Sequence, residues 1–186
     1  KRCGRFKARL VALGNRQTQV SEAEIFSPTI SHAANRFLLV EAAAKGHYIM
    51  QFDVSNAFIK AVLEDERVFV RLPSHWSANR KGDLVRLLKS LYGLKIAPRK
   101  WFDTYKDYLI ADGWTMCERE PGLFRKGDIL ISIYVDDTLL AGPDKFKLQA
   151  AMDRILATFS GKIIEPEMEG NVEVRDILGA TLRYSR

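Results

Sequence analysis

Cysteine is nearly absent from this chain. Its 186 residues hold two, Cys3 and Cys117, far apart and without CxxC spacing, so neither a disulfide framework nor a thiolate zinc site is indicated and a reducing compartment fits. The three histidines, His32, His47 and His75, are scattered and match no metalloprotease spacing. No apolar run approaches the length of a membrane span. No repeat period and no low-complexity tract appears. There is no initiator Met, and Lys1-Arg2-Cys3-Gly4-Arg5 has no apolar signal region behind it. The expectation is a piece of something longer.

What is present is a moderately apolar, basic chain. Hydrophobic residues make up 47%, and 29 Lys and Arg against 23 Asp and Glu leave a net charge of +6. The size allows one good core or two small lobes. The charge favours a polyanionic partner, with a solvated basic face as the alternative.

One stretch draws the rest around it: Ile129-Leu130-Ile131-Ser132-Ile133-Tyr134-Val135-Asp136-Asp137-Thr138-Leu139-Leu140-Ala141-Gly142. Two adjacent carboxylates stand between runs that read as buried strands. Asp is depleted in strands and seldom buried unless paired or on a metal. The pair is therefore either a polar hairpin tip or a site. Two carboxylates held close repel unless a cation neutralises them, and hard oxygen donors suit Mg²⁺ or Mn²⁺.

Ahead of it, Phe6, Ala8, Leu10 and Ala12 alternate with Lys7, Arg9 and Val11, which predicts a half-buried strand with two cations on its outer face. Ser31 is a plausible N-cap and Gly46 a stop for a helix over residues 32–45. Tyr48–Val54 reads as a strand ending in Asp53, a residue that, taken alone, also reads as a cap. Segments 68–72 and 84–88 predict a paired hairpin. Trp101, Phe102, Tyr105, Tyr108 and Leu109 recur with helical spacing up to Gly113 and read as core. Leu123–Arg125 and Ile129–Val135 flank a Lys-Gly-Asp turn. Leu148, Met152, Ile155 and Phe159 predict a further helix, closed by Gly161. Residues 177–182 are a last strand candidate. Interleaved helices and hairpins predict an α+β fold, an antiparallel sheet with helices on one face. If the strand of Asp53 neighbours the later hairpin, three carboxylates converge, enough for two Mg²⁺ ions and an in-line phosphoryl displacement.

Five stretches carry a resemblance. They are Lys7–Ala12, Phe26-Ser27-Pro28, Gln51-Phe52-Asp53-Val54-Ser55-Asn56-Ala57-Phe58, Ser90-Leu91-Tyr92-Gly93-Leu94-Lys95-Ile96-Ala97-Pro98-Arg99-Lys100-Trp101, and Tyr134-Val135-Asp136-Asp137. In this order they resemble the reverse transcriptases of Ty1/copia-type LTR retrotransposons. The resemblance implies an RNA-directed DNA polymerase core with right-hand architecture. Residues 1–29 and 61–96 would form the fingers, and residues 30–60 and 97–186 an antiparallel palm sheet backed by helices. The family's thumb, connection and RNase H would lie outside this sequence.

By position, Asp53, Asp136 and Asp137 would be the catalytic carboxylates, holding two Mg²⁺ ions (or Mn²⁺) with the backbone of Val54. Ser55 and Asn56 would lie along the incoming dNTP and Phe58 would be the steric gate against a 2′-OH. Lys7 and Arg9 would reach the triphosphate. Tyr92, Gly93 and Lys95 would line the nucleotide and template side, and Tyr134 and Val135 would touch the primer end. Lys162 is a candidate general acid, although the polar insert around it departs from the family pattern. The implied partners are an RNA or DNA template-primer, dNTPs and the remainder of a pol polyprotein. No membrane is implied. The implied location is a cytoplasmic virus-like particle, with the nucleus as the alternative. A competing expectation is an inert, nucleic-acid-binding remnant of a decayed element. An RNA-dependent RNA polymerase is disfavoured by the apolar Phe58.

Overall fold

The computed structural model describes residues 8–17, 20–63, 67–73 and 82–185. The described chain divides into two compact units, residues 1–27 with 58–104 and residues 28–57 with 105–186.

The first unit is built from short elements. Helix α1 (Glu22–Ile25) begins with a capping box in which Ser21 and Glu24 satisfy each other's backbone donors. A two-stranded ribbon, β2 (Phe69–Arg71) with β3 (Leu84–Arg86), pairs antiparallel, as the two apolar runs predict. The segment 8–13 is not in a β-ladder. Its alternation suits a strand, but a strand needs a ladder partner; here Ala12 N–H donates to Tyr92 O at 2.7 Å, and the Ala12 and Leu13 carbonyls accept from Gly14 and Arg16 N–H in a local turn. Leu63, Leu94, Ile96 and Ala97 form the core of this unit, with Ala12, Val20, Phe58, Val68, Leu87 and Leu91 packed on it.

The second unit carries the main sheet. Its six strands run in the order β4-β5-β6-β7-β1-β8: β4 (Thr115–Met116), β5 (Leu123–Lys126), β6 (Ile129–Tyr134), β7 (Asp137–Gly142), β1 (Tyr48–Val54) and β8 (Gly161–Ile164). Every pairing is antiparallel. Strand β1, the first of the six in the chain, is thus interior, flanked by β7 and the edge strand β8.

Both faces of the sheet are covered, where one was expected. The reason lies in β6 and β7, which are apolar runs buried along most of their length. On one face, helix α4 (Lys145–Phe159) buries Leu148, Met152, Ile155 and Phe159. Tyr105, on helix α3 (Ala97–Ala111), packs edge-to-face on Phe159 at 5.4 Å and shares a hydrogen bond with Thr138 Oγ1 of β7 at 3.1 Å. On the other face, helix α2 (His32–Ala44) is capped by Ser31, whose Oγ accepts from Ala34 N–H at 3.1 Å. It buries Leu38 and Ala42 against Ile49, Leu139 and Ala141.

That second face is completed by a three-stranded sheet, β9 (Glu167–Glu169), β10 (Val172–Ile177) and β11 (Ala180–Tyr184), in the order β11-β10-β9. Ile177 and Tyr184 join the α2 core. The buried Arg175 guanidinium donates to the carbonyls of Ile49 at 2.9 Å and Ile164 at 3.2 Å and pairs with Glu173. Residues 177–182, expected as one strand, instead hold the end of β10, a turn at Leu178-Gly179 and the start of β11. Leu178 and Gly179 both have positive φ, which suits the tight two-residue loop between twisted strands. Among the described residues no helix is long and apolar enough to cross a membrane.

Candidate active site

Pairing register puts four charged or polar side chains in one line. Asp53 of β1 has Asp137 of β7 as its Cα partner on one side and Lys162 of β8 on the other. Asp137 in turn faces Tyr134 of β6. Residues opposite one another across a ladder share a face. The row Lys162–Asp53–Asp137–Tyr134 therefore crosses four strands at one end of the sheet. Asp53 and Asp137 are half-buried, and Lys162 and Tyr134 are exposed.

Asp136 joins them through the turn. The hairpin between β6 and β7 has Val135 and Asp136 as its two central residues. Val135 sits at φ +59°, a first-position conformation usually left to glycine. A β-branched residue there costs about 1–2 kcal/mol, and such strain persists where the surroundings enforce it. One enforcing contact is visible: Val54 N–H donates to Asp136 O at 2.9 Å. Ser55 N–H donates to Ser160 O at 3.2 Å, and Asn56 adopts φ +55°. The segment Val54–Asn56 is thereby fastened to the hairpin tip on one side and to the end of α4 on the other.

Gly161 does more than close α4. Ser160, at φ +52°, is the C-cap, and Gly161 opens β8 opposite Val54. A Cβ on Gly161 would stand 2.4 Å from the Asp53 carbonyl oxygen and 2.7 Å from Leu156 Cδ2. Glycine is what lets β8 start against β1 directly after the helix, and so brings Lys162 level with Asp53.

The electrostatics follow from the line. Burial pushes the Asp137 carboxyl above its ordinary range, and the charges of Asp136 and Asp53 push it further the same way. Among the described residues no group of three or more His, Cys, Asp or Glu closes as a ready-made metal cage. The donor chemistry nevertheless fits a hard divalent cation. Carboxylate oxygens from three neighbouring positions repel one another, and a cation among them removes that repulsion.

A separate cluster lies in the first unit. The Arg9 guanidinium stands over the Tyr92 ring, 5.5 Å from its centroid. The Phe58 ring meets Tyr92 edge-on at 5.0 Å. Gly93 has φ +87°, and a Cβ there would come within 2.2 Å of the Ala12 carbonyl oxygen. Lys95 donates its N–H to Gln17 Oε1 and its ammonium to Gln17 O, each at 3.0 Å, so its charge is engaged with the loop. Lys7 lies outside the described residues. Arg9, Phe58, Tyr92, Gly93 and Lys95 thus gather in one unit. Asp53, Val54, Ser55, Asn56, Tyr134, Val135, Asp136, Asp137 and Lys162 gather in the other.

Sequence reasoning passed over Gln51, the buried residue two positions before Asp53 on the same face. An amide inside an otherwise apolar strand was the available signal.

Comparison with known proteins gives the family. A family model described as reverse transcriptase (RNA-dependent DNA polymerase) matches residues 1–168, and the chain belongs to that family. Its relatives place it more closely, among the copia-type retrotransposon sequences. It is 36% identical over 163 residues to the retrovirus-related Pol polyprotein from transposon RE1 of Arabidopsis thaliana, covering 85% of this chain and 11% of that protein. It is 33% identical over 194 residues to the transposon Ty1-NL2 Gag-Pol polyprotein of Saccharomyces cerevisiae, covering 100% of this chain and 11% of that protein. The chain thus spans about a tenth of the length of these relatives. A solved telomerase from Candida tropicalis aligns at TM-score 0.39 and 11% identity, over 84% of this chain and 41% of that one, too loosely to carry weight.

Proposed function

We propose that this chain is the polymerising core of a reverse transcriptase, extending a primer 3′-OH with dNTPs along an RNA or DNA template. The observation that carries the reading is the register of Asp53 against Asp137, with Asp136 at the adjoining turn. Residues 1–29 and 61–96 are read as fingers, and residues 30–60 and 97–186 as palm. The remainder of a pol polyprotein would supply further grip on the duplex.

Asp53, Asp136 and Asp137, with the Val54 carbonyl, would hold two divalent cations. When bound, Mg²⁺ or Mn²⁺ supplies Lewis acidity at the attacking and leaving oxygens of the displacement. The chain's own residues do the rest. Ser55 and Asn56 offer backbone to the triphosphate. The Phe58 ring excludes a 2′-OH, which it would crowd and could not hydrogen-bond. The Arg9 fork binds phosphate oxygens in two places at once. Tyr134 and Val135 abut the primer end. Lys162, level with Asp53, gives a proton to the departing pyrophosphate. Lys162→Ala should slow incorporation about a hundredfold, and Lys162→Arg should recover little of it; equal rates for all three would remove Lys162 from the chemistry.

The test of the reading is dTTP incorporation on poly(rA)/oligo(dT) by this chain. Incorporation should require Mg²⁺ or Mn²⁺ and stop on chelation. Absence of incorporation, with nucleic acid still bound, would favour the inert-remnant reading, which the net charge of +6 equally supports.

A further inference from the structure

Gln51 is a glutamine where the fold calls for an apolar side chain. It stands on β1 with Leu139 and Ile164 as its Cα partners. It shares its face with Ile49 and Asp53, and Ile49, Leu139, Ala141 and Ile177 make that face a hydrophobic core. Gln51 is only 6% exposed. Its Nε2 donates to the Asp176 carbonyl of β10 at 3.2 Å. Its Oε1 is buried and has no hydrogen-bond partner among the described residues. Buried polar atoms are nearly always satisfied, and a departure from that rule asks for a reason.

The reason is a small cavity beside it. A space of about 20 Å³ is lined by Gln51, Ser132, Tyr134, Asp137, Thr138 and Leu139 from the main sheet, by Asn35 of α2 and by Ile177 and Leu178. That is room for a single water molecule. Its wall combines the unpartnered Gln51 oxygen with Asp137, the carboxylate directly opposite Asp53. The hydroxyl proton of Ser132 is already given to Asn35 Oδ1 at 3.1 Å. Gln51 Oε1 and the Asp137 carboxylate, two acceptors among the lining residues, match the two protons of one water.

We propose that Gln51 is a positioning residue for the polymerase site, holding Asp137 in its cation-binding orientation through one buried water. The water engages one carboxylate oxygen from beneath and leaves the other turned toward Asp53 and Asp136. Removing the amide removes the water's second acceptor, and Asp137 then rotates about its χ angles at a cost to cation affinity. The proposal rests on the reading of Asp137 as a cation ligand. Supports of this kind around metal ligands are worth about tenfold in affinity or more.

Two measurements on the full chain test it separately. The first is a high-resolution crystal structure, in which an ordered water within hydrogen-bond reach of both Gln51 Oε1 and the Asp137 carboxylate is expected. A dry cavity, or a water that does not reach Asp137, overturns the proposal. The second is Mn²⁺ titration by electron paramagnetic resonance alongside thermal unfolding, for the native chain and for Gln51→Met. Methionine keeps the volume and removes the lone acceptor. The expected result is an unfolding temperature equal to or above that of the native chain, with Mn²⁺ bound about tenfold more weakly. Equal Mn²⁺ affinity overturns the proposal. Native chain that takes up no Mn²⁺ overturns instead the reading of Asp137 as a ligand, while the crystal structure still decides whether Gln51 and Asp137 share a water. If Gln51→Met does not fold, the crystal structure of the native chain is decisive alone.

Discussion

Replacing Asp137 by asparagine should make the chain more stable in the absence of a divalent cation and remove the stabilisation that a cation brings. Asp137 and Asp53 are directly opposite on β7 and β1, and like charges so placed cost about 0.2–1 kcal/mol. Asp137 is half-buried and Asp136 adds to the repulsion, which puts the cost at the upper end, about 1 kcal/mol. For a chain of this size that is a rise of about 2–4 °C in unfolding temperature. The pH dependence has a fixed sign. The carboxyl of Asp137 titrates above its ordinary range in the folded chain, so native stability declines as pH rises from that ordinary range through the raised value. The advantage of Asp137→Asn is therefore full at neutral pH. It vanishes in acid, where the native residue is protonated too. Saturating Mg²⁺ at about a hundred times its dissociation constant should stabilise the native chain by about 2.7 kcal/mol and the variant by much less. Scanning calorimetry at both pH values, with and without Mg²⁺, reads all of this. A variant less stable than the native chain at neutral pH without cation, or an advantage undiminished in acid, would refute the reasoning.

Other expectations can be checked with ordinary variants. Gly161→Ala places a methyl 2.4 Å from the Asp53 carbonyl oxygen and should cost about 1–3 kcal/mol by chemical denaturation, with polymerase activity falling further than stability; a neutral effect would show that β8 does not need the close approach. Asp112 is pushed up by burial, but hydrogen bonds from Lys126 and Trp114 and the nearby Arg154 charge outweigh that and hold its carboxyl below the ordinary range. Asp112→Asn should then cost about 1 kcal/mol at neutral pH. That difference persists above the ordinary carboxylate range and disappears as pH falls through the depressed value; a cost that is the same in strong acid would contradict the ion-pair account. Phe58→Ala should raise ribonucleotide incorporation relative to dNTP by tenfold or more, on the scale of about 1–3 kcal/mol for a steric pocket contact, and unchanged discrimination would remove Phe58 as the gate.

Helices α2, α3 and α4 were legible because each carries its signals locally; the one-turn helix α1 (Glu22–Ile25) was not. Ser31 and Asp144 cap α2 and α4, and the apolar spacing of Leu148, Met152, Ile155 and Phe159 is a property of fifteen consecutive residues. The hairpin of β6 and β7 was equally local. The stretch after Phe159 was not. Strands β8 and β9 are largely exposed and show no periodic contrast, so neither they nor β10 were read as strands. The turn at Leu178-Gly179 was taken for a strand because leucine rarely adopts positive φ.

The site was half legible. The motif residues Asp53, Asp136 and Asp137 stood out as carboxylates among apolar neighbours. That Asp53 pairs with both Asp137 and Lys162 could not be read, because register between segments more than eighty residues apart is settled by tertiary packing. Gly161 was misjudged for the same reason: its role is set by the Asp53 carbonyl, which no local pattern contains.

Asp53, Asp136 and Asp137 are proposed to act together in nucleotidyl transfer. The most direct measurement is the rate of single-nucleotide extension on poly(rA)/oligo(dT) with Mg²⁺, comparing the native chain with Asp53→Asn and Asp136→Asn. Amides keep the shape and remove the charge. Each variant alone should lose at least a hundredfold in rate while primer-template binding is unchanged, since removing one partner of an electrostatic site costs about 2.7–4 kcal/mol of transition-state stabilisation. Incorporation by both variants at the native rate would contradict the proposal.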